Sequence, residues 1–427
     1  MTKKDFSMND SMSRDIYTGE TELTEMGNLG NEMGNPGNEM ENLRNEMGNL
    51  RNEMGNLRNE MGNLRRRMSR LRDGIGCRRY GLLLATLLLV VATPLFATGD
   101  EEAAYAPALP SIQLGQSTLK LMGYGQSSYA VTRSGGKSEN ALTMQRFILM
   151  ADARITKEIS FWLMYDFSTG KMHEYYAQYA FSPALKVRVG QYKQPFTMES
   201  LLPPTLISNI NMDESVAYMA GIAGDPCFGI GRVGRDMGVM LTGDLWIKEG
   251  HPRVNYSIGV FNGAGMNQKE NNNQKDVIGQ LNFMPWKKTT FSGSFILGTA
   301  QAQAPSPFNC FAQGDNYRRN RFSIGADHKN RVLNFRSEAM WGNDGGAKSM
   351  GWYANAEFHL TGKLDLVANY DYLKRNRDID ATATNNWIGG LQYWLYKQCC
   401  IRSQYVFKNR KSGEISRSWV TQFQIAF

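Results

Sequence analysis

The 427-residue sequence predicts an all-β fold, a transmembrane antiparallel β-barrel of about sixteen strands. Three observations point there. Apolar and polar residues alternate in segments of about ten from Leu119 onward, the period of a strand with two unlike faces. Connections alternate between tight turns and longer polar loops, and aromatic residues collect at the segment ends.

Alternation is clearest in "LKVRVGQYK", where Leu185, Val187 and Val189 share one face and Lys186 and Arg188 the other. "RFSIGADHK" and "KLDLVANYDYLK" repeat it, with Phe322, Ile324 and Ala326, then Leu364, Leu366, Ala368, Tyr370 and Tyr372, on the apolar side. Sixteen such segments run from 119–132 to 417–427, an even number, as closure of an up-and-down barrel requires. Turns near Lys157, Ser182, Lys287, Lys329, Thr361 and Lys397 are short; "RSGGKSEN", "NGAGMNQKENNNQ", "AQAQAPSPFNCFAQGDNYRR", "GNDGGAKS", "RNRDIDATAT" and "NRKSGEIS" read as longer loops on the other side. Phe167, Tyr175, Tyr192, Trp341, Trp352, Tyr372, Trp387 and Trp419 fall on the long-loop side. Phe181, Trp246, Trp286, Tyr396 and Phe427 fall on the other. Two belts at fixed depth imply two lipid interfaces; a soluble sandwich would scatter its aromatics through a dry core. The last strand, "SWVTQFQIAF", ends on an aromatic residue, like an outer-membrane assembly signal.

Upstream of the barrel lie three segments. Residues 1–67 hold a low-complexity Met/Asn/Gly/Leu repeat with Met26, Met33, Met40, Met47, Met54 and Met61 on a seven-residue beat that Met68 continues. The spacing suits a coiled coil, but glycine in nearly every copy costs about 1 kcal/mol relative to alanine, and Pro36 interrupts one copy. Residues 68–97 read as a signal peptide: "RRYGLLLATLLLVVATPLFA" has a basic flank, an apolar core too short for the roughly 18 residues of a membrane span, and a small residue at Ala97. Translation is therefore expected to start at Met68 or at an earlier repeat methionine. Residues 98–118 form an N-terminal segment, and 119–427 the barrel.

Net charge is +8, and export of the chain leaves it unchanged, because residues 1–97 hold 13 basic and 13 acidic side chains. An exported chain seldom meets nucleic acid, so anionic solutes and lipopolysaccharide are the expected partners. Export also permits disulfides: Cys227 and Cys310 lie in loops on one side and could pair if their Cα atoms come within about 7 Å, with free thiols the alternative. No Cys/His cluster has zinc spacing, and no metal or cofactor is expected. His173, His251, His328 and His359 all sit near strand ends, and no Ser/His/acid set stands out, so no enzyme is expected. "GIGRVG" and "NGAGMN" lack the strand-to-helix context of a phosphate cradle.

One connection departs from the pattern. Lys193 to Gly234 runs some forty residues without alternation, rich in Met, Leu, Ile and Ala. A third long loop of this composition hides its apolar groups most easily by folding into the pore. Its ends carry Lys186, Arg188 and Lys193 at the entry and Arg232 and Arg235 at the exit, the best basic cluster for the predicted pore. Arg146, Arg321 and Arg336 also fall on the polar face, beside acidic residues that include Glu174, Asp327, Glu338, Glu357 and Asp365. The predicted lumen is mixed in sign.

"KVRVGQYKQPFTMESL" (Lys186–Leu201), "RDMGVMLTGDL", "YSIGVFNGAG", "GWYANAEFHLTGKLDLVANYDYL" and the terminal "TQFQIAF" resemble the phosphate-selective porin O and P family over about 110–427. The resemblance implies a sixteen-stranded, trimeric outer-membrane porin with arginine-lined walls and lysines at an inward constriction, passing small hydrophilic solutes with a preference for anions or phosphate. Lys193, Arg232 and Arg235 are where the equivalents of its basic residues are expected; the phosphate site itself does not carry over. Two other classes remain on sequence grounds, a surface-binding or structural barrel plugged by the long loop and an outer-membrane lipid hydrolase.

Overall fold

In a computed structural model, which describes residues 111–115, 117–222 and 234–427, every long strand pairs with its neighbours in sequence. The repeat, the signal peptide, Cys227 and Arg232 lie outside the described residues. A short β1 (Ser111–Leu114) lies against the start of β2. The first hairpins are β2 (Ser117–Ser134) with β3 (Lys137–Arg154), β4 (Ile159–Asp166) with β5 (Lys171–Ser182), and β6 (Leu185–Lys193) with β7 (Arg235–Lys248). Next come β8 (His251–Phe261), β9 (Asp276–Trp286), β10 (Thr289–Gln301), β11 (Asn316–Lys329) and β12 (Leu333–Asp344). The circuit ends with β13 (Ala347–His359), β14 (Leu364–Lys374), β15 (Ala383–Tyr396), β16 (Cys399–Arg410) and β17 (Ile415–Ala426).

β17 closes antiparallel on β2, from Ser416 opposite Ser134 to Ala426 opposite Tyr124, so the sheet is a ring of sixteen long strands, β2 to β17. Closure matters because lipid offers no partner to a free edge.

Burial is inverted relative to a soluble protein. Leu121, Val189, Val239, Ile258, Leu281, Ile324, Leu391 and Phe423 are exposed on the outer wall, while Gln126, Ser323, Glu338, Asn355, Asn369, Gln404 and Gln422 are buried on the inner one. Phe167, Trp387 and Trp419 are exposed near the long-loop ends, and Phe181, Trp246, Trp286, Tyr396 and Phe427 near the short-turn ends. Tyr192 departs from the expected belt. It shares the inward parity of Lys186 and Arg188, is 1% exposed, and packs edge-on against Tyr176 and Phe261.

Two connections expected to be loops are two-residue turns. Gly135–Gly136 and Gly345–Gly346 both take positive φ at both positions, which lets the strands pair right up to the turn. At Gly190 (φ 140°) a Cβ would lie 2.3 Å from the Tyr175 carbonyl oxygen and 2.7 Å from the Tyr176 Cα. The close approach seats Tyr176 against β6, so Gly190→Ala is expected to destabilise the barrel by about 1–3 kcal/mol. A lower temperature for loss of the folded, fast-migrating band on semi-native electrophoresis checks this; an unchanged temperature contradicts it.

Candidate functional site: the inner wall and its inward loop

The loop after β6 folds into the lumen. It carries two short helices, α1 (Met198–Leu201) and α2 (Glu214–Met219), separated by a 3-10 turn at Pro204–Leu206. Its apolar residues explain the direction: Phe196, Val216, Tyr218, Met219 and Ala220 form one buried cluster with Met240, Phe261, Ile278, Ile296, Met340 and Leu373. Those last six belong to the wall. At Met240, Ile278, Ile296, Met340 and Leu373 an apolar residue stands on the inner face, where the alternation calls for a polar one.

Polar wall groups complete the anchorage. Glu338 accepts the backbone N–H groups of Met198 (2.7 Å) and Glu199 (3.1 Å), together with the Ser323 and Tyr353 hydroxyls. Asp371 accepts those of Glu214 and Ser215, at 2.9 and 3.2 Å. Both carboxylates therefore satisfy N–H groups at the start of a short helix, which have no intrahelical partner. Gln404 accepts from the Ile210 N–H and donates to the Ser208 carbonyl, and Arg402 donates to the Thr205 carbonyl at 3.0 Å. Glu214 is bound by Lys408 (2.6 Å) and Arg375 (2.8 Å). Burial works against its ionisation, but these two cations and the Asn386 amide hold it below the usual carboxylate range.

Among the described residues, these contacts place the loop on β7 to β16. In a ring of sixteen, β5 lies opposite β13, so β3 to β5 and the start of β6 face the loop across the lumen, while the end of β6 leads into it.

The basic residues read from the sequence divide by partner. Lys186 pairs with Asp244 at 3.0 Å, Arg235 with Glu174 at 2.7 Å, Arg321 with Asp344 at 2.9 Å and Arg336 with Asp327 at 2.9 Å. Arg321, only 1% exposed, also donates to the Tyr218 and Met219 carbonyls and so pins the end of α2. Arg146, Arg188 and Lys193 have no carboxylate within ion-pair distance among the described residues. Arg146 donates to Gln126 at 2.8 Å. Arg188 donates to Gln178 at 2.9 Å and lies over the Tyr176 ring at 4.1 Å from its centroid. Lys193 donates to the Leu202 carbonyl of the loop at 2.7 Å. Arg146 and Arg188 sit on β3 and β6, on the strip facing the anchored loop, and Lys193 ends β6 where the loop begins. Parity in the sequence put Arg146 and Arg188 on the inner face; it could not tell which cations lack an acid.

With this geometry in view, residues 122–289 match the family model "Phosphate-selective porin O and P". Over this stretch the chain is similar to the phosphate-selective porin O and P family. The porin match spans β2 to β9, including the GQYKQPF segment and the whole inward loop. No curated protein matches the chain in sequence. Among solved structures it is similar to an anion-selective porin from Comamonas acidovorans, with a TM-score of 0.56 and 15% identity over 73% of this chain and 100% of that one. The outer-membrane channel DcaP of Acinetobacter baumannii is similar at a TM-score of 0.52 and 11% identity, over 74% and 100%. OmpT of Vibrio cholerae matches at 0.54 and 9%, over 74% and 100%. At such identities the likeness is one of fold.

Glu338 anchors the start of the loop, so Glu338→Ala is expected to weaken its attachment by at least about 2 kcal/mol, as buried amides lose a charged acceptor. Chymotrypsin should then cut at Phe196 or Tyr218, both buried in the parent; resistance equal to the parent's contradicts the anchor. The loop should also respond to pH. Burial pushes Glu199 from an ordinary 4.5 up to about 7, and the nearby Glu338 charge adds to the rise. Its docked form therefore keeps a proton that a released loop would give up. That stabilisation is full below about 4.5 and is lost as pH rises through about 7, so cleavage should be slower at pH 5 than at pH 8 once corrected for protease activity.

Proposed function

We propose that the chain is a passive diffusion channel of the outer membrane, narrowed by the inward loop, that passes small hydrophilic solutes and prefers anions, phosphate among them. One observation carries the preference: Arg146 and Arg188 on the strip facing the loop, and Lys193 at the loop's entry, have neutral partners only, whereas Lys186, Arg235, Arg321 and Arg336 are each matched by a carboxylate. An ion-paired side chain contributes little net field. An unmatched guanidinium or ammonium in a narrow lumen attracts anions and repels cations. Arg232, near the end of the loop in sequence, is a further basic residue of this reading. Resemblance to an anion-selective porin in fold supports it.

The remaining parts of the reading follow from the family and the barrel. The channel works as a homotrimer, in keeping with a structural relative described as a trimer form, and reaches the outer membrane by a cleaved signal peptide with lipopolysaccharide around its rim. In this reading it is a channel rather than an enzyme, in keeping with the porin match.

Planar-bilayer recording in a salt gradient tests the proposal. The parent channel should show a reversal potential of anion sign and a current reduced by added phosphate. Arg188→Glu with Lys193→Glu should move that potential toward cations, while Lys186→Gln should change it little. A cation-selective parent overturns the anion preference, and absence of conductance overturns the channel in favour of a plugged, structural barrel.

A further inference from the structure

On the short-turn side of the loop the lumen holds a cavity of about 840 Å3, and its wall includes Glu357, His359, Asp365, Gln392 and Trp394. Glu357 and His359 are two residues apart on β13 and both face inward; Asp365 on β14 is the register partner of His359. The three side chains therefore converge by strand pairing alone, and one ligand atom from each lies within 4.8 Å of the others.

We propose that Glu357, His359 and Asp365 bind a divalent transition cation of the zinc class. Their partners set these two carboxylates apart from others in the lumen. Glu174, Asp276, Asp344 and Asp327 are matched by arginines, and Glu338 and Asp371 by backbone N–H groups. Glu357 and Asp365 have neither among the described residues. Glu357 accepts only from the Ser208 hydroxyl (2.6 Å) and the Gln392 amide (3.3 Å); Asp365 accepts from His359 Nδ1 (2.7 Å), the Trp394 indole and the same Gln392 amide (3.2 Å).

Gln392 is a second and separate pointer. It is 1% exposed, its amide is aimed between the two carboxylates, and its Oε1 has no partner. Two buried carboxylates bridged by a neutral amide, with a single imidazole as cationic partner among the described residues, are costly unless a cation completes the group.

Donor chemistry selects the cation. Zinc bonds to nitrogen and oxygen are about 2.0–2.2 Å, so small side-chain rotations bring the three donors onto one ion, leaving a position open toward the cavity. Calcium and magnesium favour all-oxygen sites, whereas an imidazole with carboxylates suits zinc and its neighbours. Gln392, Trp394 and Ser208 would orient the ligands from behind. Because Ser208 belongs to the inward loop, an ion on Glu357 also bears on how the loop is held.

The full barrel, stripped with EDTA and with its thiols blocked, would be titrated with Zn2+ by calorimetry and with Co2+ by absorbance. One ion per chain is expected, with the cobalt bands of a nitrogen and oxygen site. His359→Ala and the near-isosteric Glu357→Gln should each weaken binding at least about tenfold, while His328→Ala, which loses contacts to Thr289 and Asn330 outside the site, should not. Heat-modifiable migration identifies any variant that fails to fold, and Glu357→Gln then decides. No zinc bound by the parent, or equal affinity in the parent and Glu357→Gln, overturns the site. Neither outcome depends on whether the barrel conducts.

Discussion

Lipid offers no hydrogen bonds, so every backbone amide in the wall must find its partner within the sheet. The ring from β2 to β17 satisfies that constraint, and the other features follow from it. Once the sheet is closed, one face of each strand meets hydrocarbon and the other encloses a lumen, which dictates period-two alternation along each strand. The apolar set must then be exposed and the polar set buried, as Leu281 and Ile324 outside and Gln404 and Asn369 inside show.

A polar lumen is also a scaffold for the inward loop. A segment with Phe196, Val216 and Met219 cannot rest on a wholly polar wall, and the wall answers with Met240, Ile278, Ile296, Met340 and Leu373 at inward positions. Apolar packing gives the loop its adhesion; Glu338, Asp371 and Gln404 give it register by taking or supplying specific backbone hydrogen bonds. Anchoring the loop on β7 to β16 leaves β3 to β5 and the start of β6 facing it across the lumen. The division of charge comes from this asymmetry. Arginines near the anchored loop are occupied by carboxylates and loop carbonyls, while Arg146 and Arg188 meet only neutral groups.

Much of this was legible in the sequence. All sixteen barrel strands fall where alternation put them, because a period of two with lipid on one side leaves little freedom in register. The third loop's inward turn was readable from its apolar content. Misreadings came where a local feature overrode the pattern: Gly-Gly pairs tightened two presumed loops into turns, and Tyr192 was placed in a belt by its position near a strand end although its parity pointed inward. The Glu357, His359 and Asp365 group shows no ligand spacing along the chain, since a turn separates the third residue from the other two.

What the sequence by itself determined is the wall: strand number and which face of each strand meets lipid, both consequences of a two-residue period under a hydrophobic constraint. Only the tertiary structure decided which lumen charges are matched. Ion pairing depends on distances between strands that are neighbours in the ring and on where the loop comes to rest, and neither leaves a periodic trace in the chain. Arg188 and Arg321 have the same parity and the same side chain; one lies over Tyr176 with a neutral Gln178 partner, the other is buried between Asp344 and the end of α2.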